Sequence, residues 1–153
     1  MKPLIVLLAV FAGALLATKL LRGSIDYALS GRIALAATLL FTAMGHFAFT
    51  KGMTMMLPEA IPFRYALVYL TGVAEILFAI ALFIPSVRVT VGWVLIAFFI
   101  CMLPANIYAA MKNVDYQHAT YDGPGLGYLW FRIPLQLLFI VWTYLAVLEA
   151  GEL

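Results

Sequence analysis

Five stretches of this chain, each about twenty residues long and almost free of charge, decide the solvent in which it folds. A helix that crosses about 30 Å of hydrocarbon needs roughly 20 apolar residues. Residues 3–21, 28–49, 64–84, 87–111 and 128–148 supply five such runs. They are apolar all round, without a wet face, which separates spans from helices that lie on a membrane surface. Of the 153 residues, 66% are hydrophobic and only 10% are charged, against about 25% charged in a soluble domain. That is too little polar surface to coat a water-soluble globule. The net charge is +2, with nine basic residues scattered along the chain, which excludes a nucleic-acid footprint. The lone Cys101 excludes an intrachain disulfide or a paired-cysteine redox centre.

The spans predict an all-α fold: a transmembrane four-helix bundle over residues 28–148, preceded by one extra N-terminal transmembrane helix over residues 1–23. Lys2 before an apolar run, with Ala14 and Ala17 further on, also fits a secretory signal. Lys19, Leu20, Leu21 and Arg22 continue the helical pattern, however, and favour a retained anchor. Two connections are informative. Residues 51–62 carry Met53, Met55 and Met56 followed by two prolines, too short to span but apolar enough to dip into the membrane interface. Residues 112–127 form the one polar loop, with a turn at Gly123, Pro124 and Gly125. Tyr116, Tyr121, Tyr128 and Trp130 read as an aromatic belt at the membrane surface.

Five spans put the N-terminus, the Met-rich connection and the polar loop on one side. Lys19, Arg22, Arg32 and Arg88 fall in the shorter connections of the other side. Short loops weigh most in the positive-inside rule, so that second side is expected in the cytoplasm and the chain in a bacterial inner membrane.

Ionisable groups inside a span cost about 2.5–3.5 kcal/mol each at the helix centre, so each asks for a partner or a function. Counting about 1.5 Å of rise per residue from the span ends places His46, Glu75, Asn106, Arg132 and Gln136 in one half of the bilayer. Helical spacing adds direction. Thr38, Thr42 and His46 share a face, as do Arg132 and Gln136, and Tyr65, Tyr69, Gly72, Glu75 and Ala79 follow three- and four-residue steps. The economical arrangement points these stripes at a common centre, with Pro104 freeing a backbone carbonyl near Asn106. The expected ligand-binding set is therefore His46, Tyr69, Glu75, Asn106, Arg132 and Gln136. Glu75 and His46 are the candidate catalytic groups.

Structural roles compete with this. Glu75 and Arg132 can pair simply to hold helices together, and threonines at 38 and 42 commonly bond their own helix. The methionines of residues 51–62 suit a soft metal but equally fill an irregular interfacial loop, and no metal site is expected. Cys101 reads as inert packing in an apolar span. No nucleophile–base pair, metal-ligand spacing, phosphate loop or dinucleotide fingerprint is present.

Four blocks in order resemble the DoxX-like family of small membrane proteins: Gly45–His46–Phe47, the stretch from Val68 to Ile76, the stretch from Leu103 to Tyr108, and Arg132–Ile133–Pro134–Leu135–Gln136. The likeness covers about residues 31–148. It implies a four-helix transmembrane bundle, in a family that includes the small subunit of an archaeal thiosulfate:quinone oxidoreductase and, more distantly, assembly chaperones of the NACHO type. The extra first span departs from that pattern, and the single cysteine puts a thiol-based role in doubt.

Three functions follow as expectations. The first is a pocket, open to one leaflet, for a lipid-like or quinone-like ligand, in an accessory subunit of a membrane redox system; quinone is then the candidate cofactor. The second is a structural or assembly protein in which the polar cluster is glue. The third is a membrane enzyme using Glu75 as acid or base. The expected partners are the lipid bilayer and other membrane subunits or a second copy of the chain, with no nucleic acid.

Overall fold

Where no water can reach, each backbone N–H and C=O must be satisfied within its own segment, and the apolar runs accordingly fold as helices. The computed structural model of the chain describes residues 2–149. Its elements are α1 (Lys2–Arg22), α2 (Tyr27–Ala48), the short α3 (Thr50–Met55), α4 (Arg64–Ala81), α5 (Arg88–Met111) and α6 (Leu129–Thr143). A 3-10 turn (Gly125–Tyr128) leads into α6 and a π-helical turn (Tyr144–Leu148) prolongs it. Among the described residues there is no strand, only an isolated bridge between Asp115 and Thr120. Five helical segments are long and apolar enough to cross a membrane: α1, α2, α4, α5 and the α6 segment from Gly125 to Leu148. The chain is an integral membrane protein.

Local chemistry sets the helix ends. Gly23, at φ 74°, takes the left-handed conformation after α1, and its N–H bonds the Lys19 carbonyl at 3.0 Å, the usual way a glycine closes a helix. Three residues later Asp26 caps α2, its carboxylate accepting from the Leu29 N–H at 2.8 Å. Pro85 follows α4 closely, and the chain turns through residues 82–87 before α5 begins.

Helix α2 is the centre of the packing, lying against α1 on one side and α4 on the other, while α5 pairs with α6 and with the π-helical turn. Leu7 from α1, Leu35 and Leu39 from α2, Leu82, Leu95 from α5 and Val147 meet in one core. Helix α1 is thereby joined to the other spans rather than trailing from them. Phe11 sets its ring edge-on to Trp142 at 4.8 Å, and Trp142 Nε1 donates to the Gly31 carbonyl at 3.0 Å. Glycines sit where helices come closest, as expected when packing rather than water drives association. A Cβ on Gly31 would lie 2.8 Å from Ala146 Cβ, and one on Gly92 2.8 Å from Leu148 Cδ2.

Two expectations change. The Met-rich connection is not an irregular loop but contains α3. That helix forms where Gly52 lets the chain lie directly on the backbone of Tyr116, a contact any Cβ would block. Cys101 is not packed inside; it is exposed on the outward face of α5, together with other outward apolar side chains such as Trp93 and Ile100.

Replacing Gly31 with valine should overpack the seam between α2 and the π-helical turn and destabilise the fold by about 1–3 kcal/mol. Gly13, whose Cβ position meets nothing within 4 Å, is the control: Gly13→Ala should leave stability unchanged or raise it slightly, alanine being the better helix former. Thermal unfolding of both variants in detergent checks this.

Candidate functional site

On α4 the buried positions are Val68, Gly72, Glu75 and Ala79, a run of four-, three- and four-residue steps that keeps one helix face inward. Gly72 is the closest approach to α2: a Cβ there would lie 2.8 Å from His46 Cβ. His46 is thereby held against α4. Its Nδ1 stands 3.0 Å from the Val68 carbonyl and 3.0 Å from Thr71 Oγ1. A carbonyl only accepts, which puts a hydrogen on Nδ1. The Thr71 hydroxyl itself donates to the Leu67 and Val68 carbonyls at 2.9 Å, leaving its lone pairs for the imidazole. The opposite ring nitrogen, Nε2, then faces Glu75 Oε1 at 3.6 Å, and both side chains are about nine-tenths buried. The second carboxylate oxygen of Glu75, Oε2, is buried without a partner.

A second polar group comes from α5 and α6. Arg132 Nη1 donates to Asn106 Oδ1. Its guanidinium carbon lies 5.4 Å from the ring centre of Tyr128 and 5.8 Å from that of Tyr116, so two aromatic faces flank the cation. One turn deeper, Gln136 Nε2 donates to the Phe99 carbonyl at 2.6 Å. That carbonyl neighbours the one on Ile100, which Pro104 leaves without its helical N–H partner.

Both groups open onto one cavity of about 940 Å³, lined by His46, Glu75, Asn106, Arg132 and Gln136 and walled by apolar side chains including Phe98, Phe99, Leu135 and Phe139. Sites for small molecules usually enclose about 300–1,000 Å³ with a few convergent polar groups. Tyr69, expected in the same set, does not line the cavity: it is 46% exposed and lies beside Phe47, ring centres 5.8 Å apart. Six residues separate it from Glu75, about 600° of helix, which turns it a third of a circle away. The anticipated Glu75–Arg132 pair is also replaced. Glu75 meets His46 and Arg132 meets Asn106, and among the described residues no ion pair links the two. Thr38 and Thr42 bond their own helix, to the carbonyls of Ala34 at 2.8 Å and of Thr38 at 3.1 Å. Thr71, Tyr116 and Tyr128 enter the site unannounced. Only the four-residue step from Thr71 to Glu75 pointed to the first, and the tyrosines read as a surface belt.

These features define a class: a helical integral membrane protein with a polar-lined cavity between its spans. Residues 35–147 match the family described as a domain of unknown function (DUF8561), and the chain belongs to that family. No curated protein and no solved structure matches it.

The rim of the cavity includes Asp115, Tyr116 and Gln117 from the loop between α5 and α6. Asp115 organises that loop. Its Oδ1 accepts from the N–H groups of Gln117 at 2.9 Å and His118 at 3.2 Å, and its Oδ2 meets His118 Nδ1 at 2.8 Å. The hydrogen bond from His118 holds the Asp115 carboxyl below its usual range, and the same bond, helped by the carboxylate's charge, raises His118 above its own. The raised imidazole contributes order below its ordinary value of about 6.5, an effect lost as pH rises through the folded value. The depressed carboxyl contributes above its ordinary value of about 3.9 and loses that as pH falls through its folded value. The loop should therefore be best ordered between about pH 4 and 6.5. A histidine ring titration by NMR should find His118 above its ordinary value, and Asp115→Asn should bring it back down.

Proposed function

We propose that the chain holds a lipid-like or quinone-like amphiphile in the cavity between its spans. On this reading α2, α4, α5 and α6 form a four-helix bundle around the ligand, with α1 on its flank. The observation that carries the reading is a cavity of about 940 Å³ in which hydrogen-bonding groups from four spans face aromatic and aliphatic walls. A ligand with one polar end and a long apolar body matches that lining, and a bilayer supplies such molecules from the side. His46, Gln136 and Glu75 offer hydrogen-bonding positions deep in the cavity, and Asn106 with Arg132 offers more near its mouth.

The four-block resemblance to DoxX-like proteins overlaps the family match over residues 35–147. It supports extending the proposal to an accessory subunit of a redox system in a bacterial inner membrane, beside other membrane subunits or a second copy. The chain's single cysteine fits a subunit that positions a ligand for a partner's electron carrier better than one performing thiol chemistry itself.

Native mass spectrometry of protein purified in mild detergent tests the binding role. The expected result is an adduct in the mass range of a membrane amphiphile, released on denaturation, with occupancy reduced about tenfold in Asn106→Leu, which removes a hydrogen-bonding group near the cavity mouth. Protein that carries no amphiphile, and takes up neither added ubiquinone nor added oleate, would overturn the reading.

A further inference from the structure

We infer that the head of the bound amphiphile is an oxyanion, a carboxylate or a phosphate ester, seated on Arg132. This rests on the reading that the cavity holds an amphiphile, and it commits to one chemistry for the polar end.

Among the described residues Arg132 is a cation without a counter-charge. Arg22 pairs with Asp26 and His118 with Asp115, while His46 Nε2 lies 3.6 Å from Glu75 Oε1. The two carboxylates that line the cavity are both engaged elsewhere. Glu75 Oε1 faces His46, and the two oxygens of Asp115 take three contacts inside their own loop. A guanidinium carries five N–H donors, of which Asn106 receives one from Nη1. The rings of Tyr116 and Tyr128 lie near its carbon at 5.8 and 5.4 Å, cation–π contacts that bring no anionic partner to the charge. A partly buried cation near the end of a span is costly without an acceptor, and a planar fork of donors is the natural seat for two oxygens of one anion. Lys2 also lines the cavity, adding a second positive charge.

The ligand's direction follows. Glu75 keeps Oε2 buried without a partner, and among the described residues the deeper level of the cavity is lined by no lysine or arginine that could receive an anionic head. The head therefore sits at Arg132, and the chain runs inward along Phe98, Phe99 and Phe139, which line the same cavity.

Calorimetric titration of the full chain in detergent, with oleate, oleoyl lysophosphatidate, oleyl alcohol, acetate and inorganic phosphate, reads this directly. Both long-chain anions should bind at least about tenfold tighter than oleyl alcohol, as expected when a charged hydrogen bond is gained, and the tighter of the two names the head. Acetate and phosphate, lacking a chain, should not saturate. Arg132→Gln should abolish the preference for the anions and leave oleyl alcohol within about twofold of its original affinity, while Arg132→Lys should retain part of the preference. Equal affinity for oleate and oleyl alcohol in the unaltered protein would overturn the inference while sustaining amphiphile binding. Saturation by acetate or phosphate without a gain from the chain would overturn it in favour of a small-anion site. Failure of all three chain-bearing probes would instead remove the reading on which it rests.

Discussion

Inside a bilayer a polar side chain has nowhere to turn except towards another polar group, and the contact between His46 and α4 is where this chain meets that constraint most tightly. Gly72 removes the side chain that would hold α2 away. Val68 and Thr71 fix one ring nitrogen, and Glu75 Oε1 lies 3.6 Å from the other. Four residues of one helix face thus immobilise one residue of the next. The cost of placing a carboxyl and an imidazole among apolar helices is offset only while that geometry holds. It sets the spacing of α2 and α4, and with it one wall of the cavity.

The opposite wall is built on a different principle. Pro104 interrupts the hydrogen-bond ladder of α5, and Gln136 of α6 answers at the adjoining carbonyl of Phe99, tying the two helices together. Nearer the mouth, Arg132 depends on Asn106 from α5 and on two tyrosines, one from the connecting loop and one from the turn that precedes α6. The loop is held in place from below by α3, whose Gly52 lies on the Tyr116 backbone. The Met-rich segment is therefore structural support for the rim of the cavity.

The spans were legible because the bilayer imposes a length and an all-round apolarity that few other structures share. Convergence was legible in part. Counting residues from the helix ends groups His46, Glu75, Asn106, Arg132 and Gln136 at neighbouring levels of their spans, and all five line the cavity. Partner choice was not legible. Spacing along a helix says which face and level a side chain occupies, but the neighbour it meets depends on how each helix is rotated and on long side chains of several torsions. That is why Glu75 turns to His46 and Arg132 to Asn106, and why Tyr69, only six residues from Glu75, points away. Tyr116 and Tyr128 carried a composition signal that fits a surface belt equally well. The π-helical turn at Tyr144–Leu148 had no signal at all, since it reflects the packing of Ala146 and Val147 against α2 and α5 rather than any local preference.

The central claim is that the apolar chain of an amphiphile lies between the spans and not merely around them. The most direct measurement is photo-crosslinking of the membrane-embedded protein with an oleate analogue carrying a diazirine in mid-chain, followed by peptide mapping. Labels should concentrate on cavity-wall residues such as Phe98, Phe99 and Phe139 and be competed away by unlabelled oleate. Labels confined to outward residues such as Leu77, Ile80 and Val141, unaffected by competitor, would contradict the account.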